Sequence, residues 1–177
     1  DPLTSFITAD LFTERLELEI DKAKRIGSSL SVLVMDLFDL KLIKNNLPNT
    51  LGDDVISCIS KVIRDNTRGL GLCGRLEDTR ISIILTNADE KLSYSVAKIL
   101  LNNIFTKNAY YNDFLGISIA LSSYSYASDD SDEFQKLFLD VADFAKSNGI
   151  KSGKSIIVRQ TDYLKWKHDQ YISQANK

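Results

Sequence analysis

Two apolar runs, Leu70-Gly71-Leu72-Cys73-Gly74 and Ile81-Ser82-Ile83-Ile84-Leu85, stand on either side of a short polar knot, Glu77-Asp78-Thr79-Arg80. Runs of strand type separated by a few polar residues read as a β-hairpin with its tip in solvent. A hairpin commits the chain to a sheet, and the remaining segments have to be arranged around it. The tip holds two acids, a threonine and an arginine but no glycine, so its backbone is poorly suited to close approach by a ligand.

The flanking segments supply the layers. Residues 8–25 carry Phe12, Leu16, Ile20 and Ala23 at helical spacing, with Thr8 or Ser5 as candidate cap and Gly27 as the stop. Residues 30–35 are almost continuously apolar and β-branched at Val32 and Val34, which predicts a central strand buried on both faces and ending at Asp36. A loop containing Pro48 and Asn49 leads to a helix over 51–65, with Val55, Ile59 and Val62 inward. Further helices are predicted over 89–105, with Leu92, Val96, Ile99, Leu100 and Ile104, and around Phe134, Leu137, Phe138, Val141 and Ala145. Strands are expected at 115–121 and 155–158, and the serine- and aspartate-rich stretch 122–132 reads as a loop. The order predicts an α/β fold: one central mixed sheet flanked by helices, in a domain spanning residues 1–158. Residues 159–177, with Trp166 and the single histidine, His168, form a charged tail, helical or a linker.

Length and charge bound what such a domain does. A chain of 177 residues has room for one domain with a real core. A net charge of -2 and a pI near 5.5 supply no basic field for nucleic acid. No apolar run approaches the roughly 20 residues that cross a bilayer, and Asp1-Pro2-Leu3-Thr4 is unlike a secretory leader. Cys58, on the apolar face with Val55, Ile59 and Val62, and Cys73, in a strand, read as buried small hydrophobes in a reducing compartment. The expectation is a cytoplasmic location, in a piece of a longer or membrane-anchored chain, with no membrane contact by this fragment. Tyr110, Tyr111, Tyr124 and Tyr126 either form a contact patch or cover a core edge.

Five short motifs then occur in order: Asp1-Pro2-Leu3-Thr4, Asp36 to Lys41, Gly52-Asp53, Ile117-Ser118-Ile119-Ala120, and Ala142-Asp143 followed by Gly153-Lys154. They resemble the opening Asp-x-Leu-Thr, the first and last positions of Asp-Ile-Asp-His-Phe-Lys, the Gly-Asp, the Val-Ser-Ile-Gly and the closing Ala-Asp…Gly-Arg/Lys of GGDEF, or diguanylate cyclase, domains. The resemblance covers about residues 1–158. It places the family signature at 77–81, where this chain reads Glu77-Asp78-Thr79-Arg80-Ile81. A two-residue shift would set Glu77 and Asp78 on the family's acidic pair. It would also put Arg80 and Ser82 in apolar strand positions and move Arg75 off the family's arginine, so the unshifted reading is preferred.

Such cyclases join two GTP molecules, and the resemblance implies divalent metals held by the strand-end acid, here Asp36, a backbone carbonyl and two signature acids. Thr79 and Arg80 occupy those two acid positions, and Glu77 and Asp78 replace the glycines that admit phosphate. The family's guanine-binding asparagine is Lys44, and its aspartate partner is kept as Asp53. The late phosphate-binding lysine falls on Ile150, beside Lys151, while Lys41 and Lys154 keep basic positions. The inhibitory product site, Arg-x-x-Asp, keeps Arg68 but has Gly71 for its acid. The resemblance therefore implies a degenerate, non-catalytic member, a regulatory or protein-interaction module of cyclic di-GMP signalling. Arg68 is then a remnant of the inhibitory site and Asp36 of the metal site. Two alternatives stay open: Lys41, Asp53 and Lys154 hold GTP or another purine nucleotide without turnover, or Glu77 and Asp78 serve as unorthodox ligands of a residual cyclase. No cofactor is expected, with magnesium or manganese entering only alongside residual nucleotide binding. The expected partners are other signalling domains or proteins, an active cyclase or a phosphodiesterase domain among them, or a second copy. Read without the family, Asp36 is equally a strand-end residue, Asp53 a helix cap, and Glu77 and Asp78 a solvated tip.

Overall fold

The structure, a computed structural model, describes residues 1–38, 50–107, 115–127 and 130–175. A short strand β1 (Ile7–Thr8) leads into α1 (Ala9–Ile26), followed by β2 (Ser29–Phe38) and α2 (Thr50–Thr67). The hairpin is β3 (Gly71–Glu77) and β4 (Arg80–Thr86). Then come α3 (Glu90–Lys107), β5 (Gly116–Ser125), α4 (Ser131–Ser152), β6 (Ile156–Arg159) and α5 (Gln160–Ala175). The six strands form one mixed sheet in the order β1-β3-β4-β2-β5-β6. β2 pairs antiparallel with both β4 and β5, and the outer pairs β1/β3 and β5/β6 are parallel.

Alternation along β2 decides what lies on each face. Leu33, Met35 and Leu37, with Ile81, Ile83 and Leu85 of β4 and Ile117, Ile119 and Leu121 of β5, join Val55, Ile59 and Ile63 of α2 and Ala97, Leu100 and Ile104 of α3 in one core. Leu30, Val32 and Val34, with Ile84, Ala120 and Tyr124, join Phe12, Leu16 and Ile20 of α1 and Phe134, Phe138, Val141 and Ala145 of α4 in a second. The expected central strand is thus buried on both sides, between two helical layers. α1 stops at Gly27 (φ 67°), whose N–H bonds back to Ala23, and α4 is capped by Asp130, whose carboxylate accepts from the N–H groups of Asp132 and Glu133.

Several details depart from the sequence reading. β2 runs through Asp36 to Phe38, because the ladders to β4 and β5 continue past the acid. Residues 122–125 extend β5 rather than forming a loop: Ser122, Ser123, Tyr124 and Ser125 pair with Val32, Ser31, Leu30 and Ser29. Tertiary pairing overrides their polar character. Tyr124 is a core residue, edge-on to Phe134, whereas Tyr126 is exposed and Tyr110 and Tyr111 lie outside the described residues. Thr8 stands at the start of α1 but its side chain makes no capping bond. Leu92 and Ile99 face solvent, because the buried stripe of α3 is Ser93, Val96, Ala97, Leu100 and Ile104, one position out of phase with them. No helix among the described residues is long and apolar enough to cross a membrane.

Cys58 is exposed on α2, contrary to the buried position read from its neighbours, while Cys73 is partly buried. Burial pushes the Cys73 thiol pKa up, against smaller opposing effects of the Thr67 hydrogen bond and the Arg64 charge. In the folded protein a thiol-specific reagent at pH 8 is therefore expected to modify Cys58 rapidly and Cys73 only slowly, the two rates converging in denaturant. Equal native rates would contradict this placement.

Candidate functional site

The hairpin turns on two residues, Asp78 and Thr79, between paired Glu77 and Arg80. Neither central residue has a positive φ, so this is not the mirror-image turn of most tight hairpins. An irregularity between Arg75 and Glu77 absorbs the mismatch in twist. Arg75 braces the tip: its guanidinium donates to Asp1 at 3.1 and 3.2 Å and to the Asp78 carbonyl at 2.9 Å. Glu77 and Asp78 are exposed, as expected of a tip, but Arg80 is not.

Arg80 opens β4 directly opposite Asp36 of β2, on the face covered by α1 and α4. Its Nε donates to both carboxylate oxygens of Asp36, at 3.0 and 3.1 Å. Nη2 donates to Asp143 Oδ1 at 2.7 Å, and Nη1 lies 3.5 Å from Glu77 Oε1. Lys146 Nζ adds a second cation 3.2 Å from Asp36 Oδ1. The Asp36 and Arg80 side chains are 1% and 8% exposed, against 70% for Asp143, so the network runs from the interior to the surface. Burial acts against the Arg80 charge, but the hydrogen bonds to Asp36 and Asp143, with their charges, outweigh it and raise the guanidinium pKa above its ordinary value. The motif reading had noted Asp143 without this role and had missed Lys146. Both flank the buried stripe Phe138, Val141, Ala142, Ala145 and Gly149 of α4, which is the signal that could have found them.

The other expected site residues are not gathered here. Lys41 and Lys44 lie outside the described residues. Asp53 is exposed in the first turn of α2, three residues past its start, so it favours the helix dipole rather than capping the end. Lys154 is exposed beyond the α4 C-cap, next to exposed Lys151 and Ile150. Arg68 is exposed in the turn before β3, and His168 is exposed on α5. Gly71 does more than lack a carboxylate: a Cβ built there would collide with the Ile84 carbonyl, so this backbone admits no acid partner for Arg68.

A family model, "Diguanylate cyclase, GGDEF domain", matches residues 1–151. The chain belongs to the GGDEF family. Among curated GGDEF proteins, the diguanylate cyclase DosC of Escherichia coli (strain K12) is 29% identical over 98 residues, covering 55% of this chain and 21% of DosC. The chain thus matches about a fifth of the length of that relative. Among solved structures, the FimX GGDEF domain of Pseudomonas aeruginosa aligns with TM-score 0.73 at 10% identity, over 90% of this chain and 97% of that one. The diguanylate cyclase SiaD of the same organism, in complex with its activator SiaC, aligns with TM-score 0.72 at 18% identity, over 90% and 60%. The GGDEF domain of DgcB from Caulobacter crescentus, in complex with c-di-GMP, gives 0.70 at 15%, over 91% and 95%. At these identities the likeness establishes the fold alone, and it agrees with the mixed sheet and flanking helices.

The described residues at the end of β2 do not fit the divalent cation that a GGDEF cyclase uses. A hard cation needs clustered, accessible carboxylate oxygens, and both oxygens of Asp36 are engaged by Arg80, one of them also by Lys146. Among the described residues no three metal-ligating side chains converge. Breaking one partner of a buried pair strands the other, at about 3–5 kcal/mol. Arg80→Met is expected to lower stability on that scale in urea unfolding, and Asp36→Leu in the same background to recover most of the loss. Additive effects of the two substitutions would show that the pair is not coupled.

Proposed function

We propose that this domain is a non-catalytic member of the GGDEF family that serves as a regulatory or protein-interaction module in cyclic di-GMP signalling. The observation that carries the reading is the buried Asp36–Arg80 pair. A guanidinium lies against Asp36, the one acid present among the three acid positions that the family resemblance assigns to metal binding. Phosphoryl transfer rests on positioning and on cations that neutralise developing charge at the phosphates. Here the internal cation is already neutralised by Asp36 and Asp143 and is nearly inaccessible to a substrate. Two further acids, Glu77 and Asp78, stand exposed at the tip where a polyanion would have to approach. The sheet and both cores are meanwhile well packed among the described residues, which supports a fold kept for a role other than turnover. We assign the domain proper to residues 1–158, with α5 as an appended helix.

The test is direct. Purified domain incubated with GTP and magnesium or manganese is expected to form no cyclic di-GMP, under conditions in which an active family cyclase does. Millimolar magnesium or manganese is likewise expected to leave Tm unchanged, since a cation bound only by the folded state would raise it. Product formation that disappears in Asp36→Ala would overturn the reading.

A further inference from the structure

A groove of about 350 Å³ runs between α4 and α5, within the range of ligand sites. Its floor is aromatic. Phe144 of α4 meets Trp166 of α5 at 4.6 Å between ring centroids, and Trp166 lies over Tyr163 at 5.9 Å with 30° between the planes. Tyr163 is buried, whereas Trp166 is 44% exposed, so an indole held by two other rings presents itself to solvent. Anchored aromatic rings of this kind are favoured centres of protein interfaces. Asp140 and Asp143 line one part of the groove and Lys151 another. Asp140 is exposed, and Asp143 bonds Arg80 through Oδ1 only. At 1.5 Å per helical residue, Lys151 lies about 12 Å along α4 from Asp143, beyond a Debye length at physiological salt. The order along the groove is therefore acid, aromatic, base.

We propose that this groove receives an arginine side chain from an extended segment of a partner protein, with an acidic residue of the same segment meeting Lys151. A guanidinium is flat, stacks on an indole face and bonds carboxylates through its fork, which a lysine ammonium does not. An extended segment advances about 3.3 Å per residue, so the acid falls roughly three residues from the arginine. A polyanion such as nucleic acid is repelled at the acidic end. The inference deepens the interaction role proposed above and rests on it. It also links the groove to the buried network, because Asp143 belongs to both.

Trp166 is the only tryptophan in the chain, so its emission reports the groove directly. The probe is the peptide acetyl-Gly-Arg-Gly-Gly-Glu-Gly-amide, titrated into the 177-residue chain beside a counterpart in which neutral citrulline replaces the arginine. A saturable change in Trp166 emission is expected with the arginine peptide. Binding should weaken by about tenfold with citrulline or in Asp140→Asn, and by a smaller factor in Lys151→Gln. No saturable change at millimolar peptide with the circular dichroism of a folded protein would overturn the proposal. So would equal binding of the citrulline peptide, or N-methylguanidinium binding as tightly as the hexapeptide, which would make this a site for small cations. Cyclic di-GMP synthesis by the domain would instead sink the non-catalytic role while leaving the titration intact, so the two failures are separable.

Discussion

Arg80 and Asp36 meet beneath α4 almost out of reach of water, and much of the molecule is arranged so that they can. Removing either charge from water alone would cost several kcal/mol, which the pair offsets only with good geometry and further hydrogen bonds. The β2/β4 register sets the two residues opposite one another, and the two-residue turn makes Arg80 the first residue of its strand. One turn of α4 then delivers Asp143 to the guanidinium and Lys146 to the carboxylate. Moving the hairpin by a single residue would send Arg80 to the opposite, apolar face.

The two faces of the sheet are chemically unequal, and this is what gives the network its place. Beneath α2 and α3 lies a largely aliphatic core, and its buried Ser31 hydroxyl is bonded to the Ala88 carbonyl and to Ser123. The face beneath α1 and α4 carries, besides Asp36 and Arg80, the buried serines Ser82, Ser118 and Ser122, whose hydroxyls find no partner among the described residues. Ser118 of β5 pairs with Asp36 and Ser82 of β4 with Val34, toward the end of β2 where the ion pairs lie, while Ser122 pairs further back with Val32. Apolar packing holds the rest of that face.

Periodicity made most of the fold legible: the stripes of α1, α2 and α4, the buried run of β2 and the paired runs of the hairpin all follow from local spacing. The motif resemblance directed attention to the hairpin tip at residues 77–81. What stayed hidden was non-local. A charged residue between Thr79 and Ile81 reads as part of a solvated tip, and nothing nearby says that its counter-ion stands 44 residues earlier on the neighbouring strand. Cys58 was misplaced because it borders the buried stripe of α2 without belonging to it, and residues 122–125 because pairing to β2, not their own preference, makes them a strand. The aromatic groove was invisible for the same reason, as Phe144 belongs to one helix and Trp166 to another.

The ion-pair network also bears on how such a chain can change over time. An acid at position 80 would stand among Asp36, Asp143 and Glu77, with Lys146 the one cation left in that network among the described residues. Such a variant would hold an excess of negative charge around buried Asp36 and would be destabilised. A cluster of acids at this end of the sheet would thus need further substitutions to offset its charge. Arg80 thereby constrains its own position: the residue that neutralises buried Asp36 is not exchangeable for an acid without loss of stability.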